Sequence, residues 1–163
     1  VISSLCDQTS SGIEAVKWLD FMDNTDERGR LTAVESGITV PFPIQRVFYV
    51  HQVQEGGDRG GHAHRDTDQV LTALGGSLDL VISDARRHCR IRLKHPGKGL
   101  YLPRMTWVRM YDFSPGCVFL VFANTHYDRS RSIRTWDEYL AEQNVAFFSE
   151  PTPADLGPTT ENP

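Results

Sequence analysis

Short runs of alternating or wholly apolar residues, broken by glycine, proline and aspartate, fill the middle of this chain. They lie at residues 31–35, 44–50, 69–74, 77–83, 88–93, 106–112 and 117–123. The runs at 88–93 and 106–112 alternate cleanly, as half-buried strands do, and 117–123 is apolar enough to be buried on both faces. Many short strands at near-regular spacing predict an all-β sandwich or barrel. One helix is predicted at 135–143, where Thr135 and Glu138 have the spacing of a capping box. A weaker helix or turn is expected at 12–19. Residues 1–15, polar and rich in Ser and Thr, read as a flexible lead-in to a single domain over 1–148. Residues 149–163 carry four prolines and few apolar groups, and read as a disordered tail.

Bulk properties add mainly exclusions. The 163 residues make one domain with room for a real core. A net charge of −4 gives no reason to expect nucleic acid or an anionic membrane as partner. Local basic clusters (Arg86-Arg87, and Arg129, Arg131 and Arg134) read as solvated surface. Cys6, Cys89 and Cys117 are an odd, widely spaced set, which argues against a disulfide framework or a structural zinc site. No charged-then-apolar leader opens the chain and no apolar stretch reaches membrane-spanning length, so a cytoplasmic protein is expected. No internal repeat and no phosphate-binding glycine loop is found.

The chemistry concentrates in Arg59-Gly-Gly-His62-Ala-His64, followed by Gln69. Histidines at i and i+2 leave a strand on the same face. On its own the pair is open to three readings: a metal site, bases that move protons, or polar residues on a solvent-facing strand. The spacing, with Gly56 before it and Gly75-Gly76 after, resembles the first signature of the cupin superfamily. In metal-binding cupins the place of Gln69 holds Glu, and a later strand supplies a third histidine where Trp107 stands here. An amide and an indole are poor substitutes for a carboxylate and an imidazole, which argues against a metal.

The wider match is closer. Phe42-Pro-Ile-Gln-Arg46-Val-Phe-Tyr49-Val, Arg59 to Arg65, Gln69-Val-Leu and Gly76-Ser77 resemble the sugar 3,4-ketoisomerase family of WxcM-like cupins. So do Gly99-Leu-Tyr-Leu-Pro103, Trp107, Met110, Phe113-Ser114, Leu120-Val121, Tyr127-Asp128 and Ile133-Arg134. The resemblance runs from about residue 15 to 143. It implies a jelly-roll β-barrel with a short C-terminal helix, no metal or other cofactor, and a homodimer that exchanges N-terminal strands.

The implied reaction moves the ketone of a dTDP-4-keto-6-deoxyhexose from C4 to C3 through an enediol, ahead of amino-sugar formation. Imidazole both accepts and donates protons near neutrality. The resemblance assigns that work to His62 and His64, with His64 expected as the main base. Arg59 is the first candidate to stabilise the enediolate oxygen, with Gln69 and Tyr49 behind it. Arg28 and Arg46 suit a pyrophosphate, and Trp107 is a possible wall of the site.

Two departures stand out: Val108 occupies a position that in the family commonly carries His or Arg beside the sugar. Arg129-Ser-Arg131-Ser132 replaces an acidic and aromatic stretch. The rivals are a 3,5-epimerase of related deoxysugar cupins, a non-catalytic cupin that binds a sugar nucleotide, and a metal-dependent oxygenase.

Overall fold

The computed structural model describes residues 13–161, which form thirteen strands and one α-helix. The strands are β1 (Lys17–Asp20), β2 (Met22–Asp26), β3 (Gly29–Ala33), β4 (Arg46–His51), β5 (Arg59–His64), β6 (Gln69–Gly75) and β7 (Leu78–Ser83). They continue with β8 (His88–Leu93), β9 (Lys98–Leu102), β10 (Trp107–Tyr111), β11 (Val118–Ala123), β12 (Ser132–Ile133) and β13 (Thr160–Glu161). Helix α1 spans Trp136–Glu142.

Two sheets stack as a jelly-roll sandwich, the all-β class that the alternating runs predict. One sheet has the order β1-β9-β6-β11-β4 and the other β12-β5-β10-β7-β8-β13, while β2 and β3 stand apart as a hairpin. The reason lies in period two. On β8, Cys89, Ile91 and Leu93 are buried against the opposite sheet while His88, Arg90 and Arg92 face outward. Leu71, Leu80, Ile82, Leu100, Phe119 and Val121 join them between the sheets. Each such side chain contributes roughly 1.5–3 kcal/mol by leaving water.

A second cluster lies outside the sandwich, where Ala63, Trp107, Ile133, Trp136, Tyr139 and Leu140 pack α1 against the second sheet. Thr135 caps α1 by accepting from the Glu138 amide. The reciprocal half of the expected capping box is missing, because the Glu138 carboxylate pairs instead with Arg65, 3.0 Å away.

Three further expectations are corrected. Of the helix or turn expected at 12–19, the turn forms at residues 14–15, but residues 17–19 belong to β1; Gly12 and the residues before it lie outside the described residues. β1 is an edge strand whose pairing with β9 supplies the backbone partners a helix would otherwise provide. Cys89 is disulfide-bonded, which the odd cysteine count did not suggest, whereas Cys117 is a buried free thiol.

The expected tail is ordered over 149–161. Glu150 binds Trp107 and Arg109, Pro151 is buried, a 3-10 turn follows at Pro153–Asp155, and β13 pairs in parallel with β8. Its anchors are polar groups on the outer face of the second sheet, and composition does not reveal them. Among the described residues no helix is long and apolar enough to cross a membrane.

Candidate active site

The histidine strand is shaped by its glycines. Gly60 and Gly61 take φ of 84° and 75°, left-handed values that residues with a Cβ adopt at a cost. Val108 pairs with His62 and Arg109 with Gly60, so Gly61 is the extra residue of a β-bulge. Beyond the bulge the alternation resumes. His62 and His64 face one side, their ring centroids 5.0 Å apart, while Ala63 is buried in the outer cluster.

Both rings line a cavity of about 370 Å³ together with Arg46, Phe48, Tyr127, Ser132 and Arg134. The two-residue strand β12 sets Ser132 opposite His64, with its hydroxyl 3.3 Å from His64 Nδ1. Gln69, buried on β6 in the facing sheet, places Nε2 3.4 Å from His64 Nε2. Behind His62 a smaller cavity of about 120 Å³ is lined by Arg59, Gln69 and Val108, with Phe48, Leu71 and Met110 among its apolar walls.

The site favours neutral imidazoles and bound anions. Burial is the largest cause holding His62 below the ordinary histidine range. Arg134 and Arg109 add to it, and a hydrogen bond to the Gly60 carbonyl opposes it. His64 is pushed down to about 4 by burial first, then by His62, Arg46 and Arg134, against the pull of Asp66. The guanidinium of Arg46 lies 4.9 Å from the Phe48 ring centroid and 5.4 Å from that of Tyr127. Its Nε is buried without a hydrogen-bond partner, and burial lowers its pKa. A desolvated donor of this kind, with Arg134 across the cavity and no carboxylate in the lining, is suited to an anionic ligand.

The residues expected from sequence divide cleanly. His62, His64, Arg46, Gln69, Arg59 and Val108 converge on the two cavities. Tyr49 does not. Arg46, Phe48 and Val50 point inward along β4, so Tyr49 points outward, is 62% exposed and stacks on His51. Trp107 belongs to the outer cluster, tilted against Tyr139 and donating to Glu150, on the opposite face of β10 from Val108. Arg28 lies in the β2–β3 turn, pairs with Asp26 and lines a separate surface depression.

Phe48, Tyr127, Ser132 and Arg134 are the site residues that sequence reading passed over. Phe48 was accessible from period two, since it shares a strand face with Arg46. Arg134 was hidden in a cluster that reads as surface charge.

Among the described residues no group of three or more His, Cys, Asp or Glu side chains is placed to hold a metal. Residues 14–144 match the FdtA family model, described as WxcM-like, C-terminal. The TDP-4-oxo-6-deoxy-alpha-D-glucose-3,4-oxoisomerase of Aneurinibacillus thermoaerophilus is 37% identical over 132 residues, covering 79% of this chain and 95% of that protein. QdtA, a sugar 3,4-ketoisomerase from Thermoanaerobacterium thermosaccharolyticum solved with TDP, superposes with a TM-score of 0.79 at 37% identity. The match covers 81% of this chain and 96% of QdtA. The rmlC epimerase of Mycobacterium tuberculosis, at 14% identity and a TM-score of 0.63 over 74% of this chain and 68% of its own, shares the fold alone.

Proposed function

The chain belongs to the WxcM-like FdtA family of sugar 3,4-ketoisomerases, and from that membership we propose that it isomerises a thymidine-diphosphate-linked 4-keto-6-deoxyhexose to the 3-keto sugar. The observation that carries this reading is the joint one. Two neutral imidazoles and two arginines enclose a cavity large enough for the sugar end of such a ligand.

In the proposed reaction a base removes the proton from C3, which the C4 ketone acidifies. The electrons move to the C4 oxygen and give an enediolate. The C3 hydroxyl proton passes to the C4 oxygen and a proton returns to C4, leaving a ketone at C3 and a hydroxyl at C4. His62 is the base we favour, which reverses the order expected from sequence. The Gly60 carbonyl near its ring favours an N–H on that side. Both nitrogens of His64 already lie near polar neighbours, Ser132 and Gln69. That arrangement supports His64 as the relay that returns the proton. Arg59 and Gln69, on the wall of the inner cavity, are the proposed donors to the enediolate oxygen. Arg46 and Arg134 are proposed to hold the pyrophosphate, and Val108 to give the inner wall beside His62 an apolar character.

The test is turnover of TDP-4-keto-6-deoxyglucose in deuterated water, followed by NMR. Deuterium at C4 beside a new C3 ketone is expected. Label at C3 and C5 with the C4 ketone retained would establish the epimerase instead, and no exchange would leave only sugar-nucleotide binding. The same assay across pH carries a second expectation. A base must be neutral to act, and His62 is held below the usual value of about 6.5. The rate is therefore flat down through that pH and falls only at lower pH. An acid limb centred above about 6.5 would remove His62 from this role.

The homodimer with exchanged N-terminal strands is also a proposal. It is supported by the hairpin of β2 and β3, whose residues are nearly all exposed and whose Arg28 has no role in its own chain's cavity. Sedimentation at twice the chain mass is expected; a monomer at micromolar concentration would sink the idea.

A further inference from the structure

The bulge that aims His62 is made of two glycines, the residues with most conformational freedom to lose, so something outside the strand has to hold it. The candidate in contact is Arg109, on the adjacent strand β10. Its guanidinium lies flat against Gly61: a Cβ added there would sit 2.5 Å from Arg109 Nη2 and 2.8 Å from Cζ. Arg109 is itself fixed from two sides. Nε and Nη2 donate to the two carboxylate oxygens of Glu150 at 2.8 and 3.1 Å, and Nη1 donates to Asp58 at 2.8 Å. Asp58 immediately precedes β5. Glu150 also accepts from Trp107 Nε1 at 2.8 Å, which ties it to the Trp107, Trp136 and Tyr139 cluster under α1, packed edge-to-face and tilted.

We propose that Glu150, in a segment beyond the residues matched by the family model, is a positioning residue: it clamps Arg109 on the Gly60-Gly61 bulge and so fixes the ring of His62 in the cavity. The inference rests on the isomerase reading only in making His62 catalytic. The forked carboxylate–guanidinium pair is the geometry that transmits position best, because two parallel hydrogen bonds fix rotation as well as distance. Charge acts in the same direction. Arg109 disfavours a proton on His62, and the nearby Glu150 carboxylate offsets it when His62 takes the proton from the sugar. The segment 149–161 thus has a task beyond covering the sheet.

Glu150→Gln tests this with little change of shape, since the amide oxygen still accepts from Trp107 or Arg109. Expected is a fall in kcat on the order of tenfold, from a displaced base. KM should stay within about twofold, because Arg46 and Arg134 lie on other elements. In the substrate-free protein the His62 ring resonance should titrate at lower pH than in the wild type. Asp58→Asn, which opens the other side of the clamp, should move kcat and the titration in the same directions. Unchanged kcat, or a loss of kcat with the His62 titration unmoved, overturns the proposal. A wild-type chain that does not turn over the sugar nucleotide refutes the isomerase reading instead, and the titration then still decides whether Glu150 acts on His62.

Discussion

His62→Asn is expected to lower kcat by about 10³-fold or more while leaving TDP binding within about twofold of the wild type. The amide preserves much of the ring's volume and its contact with the bulge but has no basic nitrogen, so C3 keeps its proton. The cations that would hold the nucleotide, Arg46 and Arg134, come from β4 and the link between β12 and α1, and are untouched. Deuterium wash-in at C4 should vanish with turnover, whereas titration calorimetry with TDP should give an unchanged Kd. His64→Asn should retain slow exchange, because removal of the C3 proton does not depend on it. The reverse result, an active His62 variant and a dead His64 variant, would restore the order that the sequence suggested.

Arg46→Ala is expected to weaken TDP binding by roughly 10- to 100-fold, since a hydrogen bond to a charged group contributes about 1.5–3 kcal/mol. Its Nε is already desolvated and has no protein partner, so a phosphate oxygen would meet it without a competing bond to break. A second signature separates this from general damage. Arg46 is one of the cations that depress His64, so its removal should let the His64 titration rise from about 4 towards the ordinary value. An unchanged Kd for TDP would take Arg46 out of the pyrophosphate site.

The alternating runs carried the fold because a strand half buried in a sandwich writes its burial directly into the chain. β8 and β10 are found within a residue of where the alternation puts them. β1 was harder, since none of its four residues is fully buried and they show no alternation. The tail misled because its ordering depends on partners elsewhere: a carboxylate at 150 is polar composition until an arginine and an indole on β10 are found to face it. Tyr49 and Trp107 were drawn towards the site by their strings. Strand parity, counted from Phe48 and from Val108, turns both of them away.

By itself the sequence determined the all-β class and the histidine pair, which follow from period two along short segments, while the kind of proton chemistry came from the resemblance to the ketoisomerase family. Only the tertiary structure decided which arginines meet the histidines, that Gln69 and Ser132 lie beside His64, and that Glu150 reaches the bulge through Arg109. Those relations join residues as much as 89 positions apart, Gly61 in the bulge of β5 and Glu150 beyond α1. Direction and distance across a sandwich come from sheet pairing and twist, which no local pattern encodes.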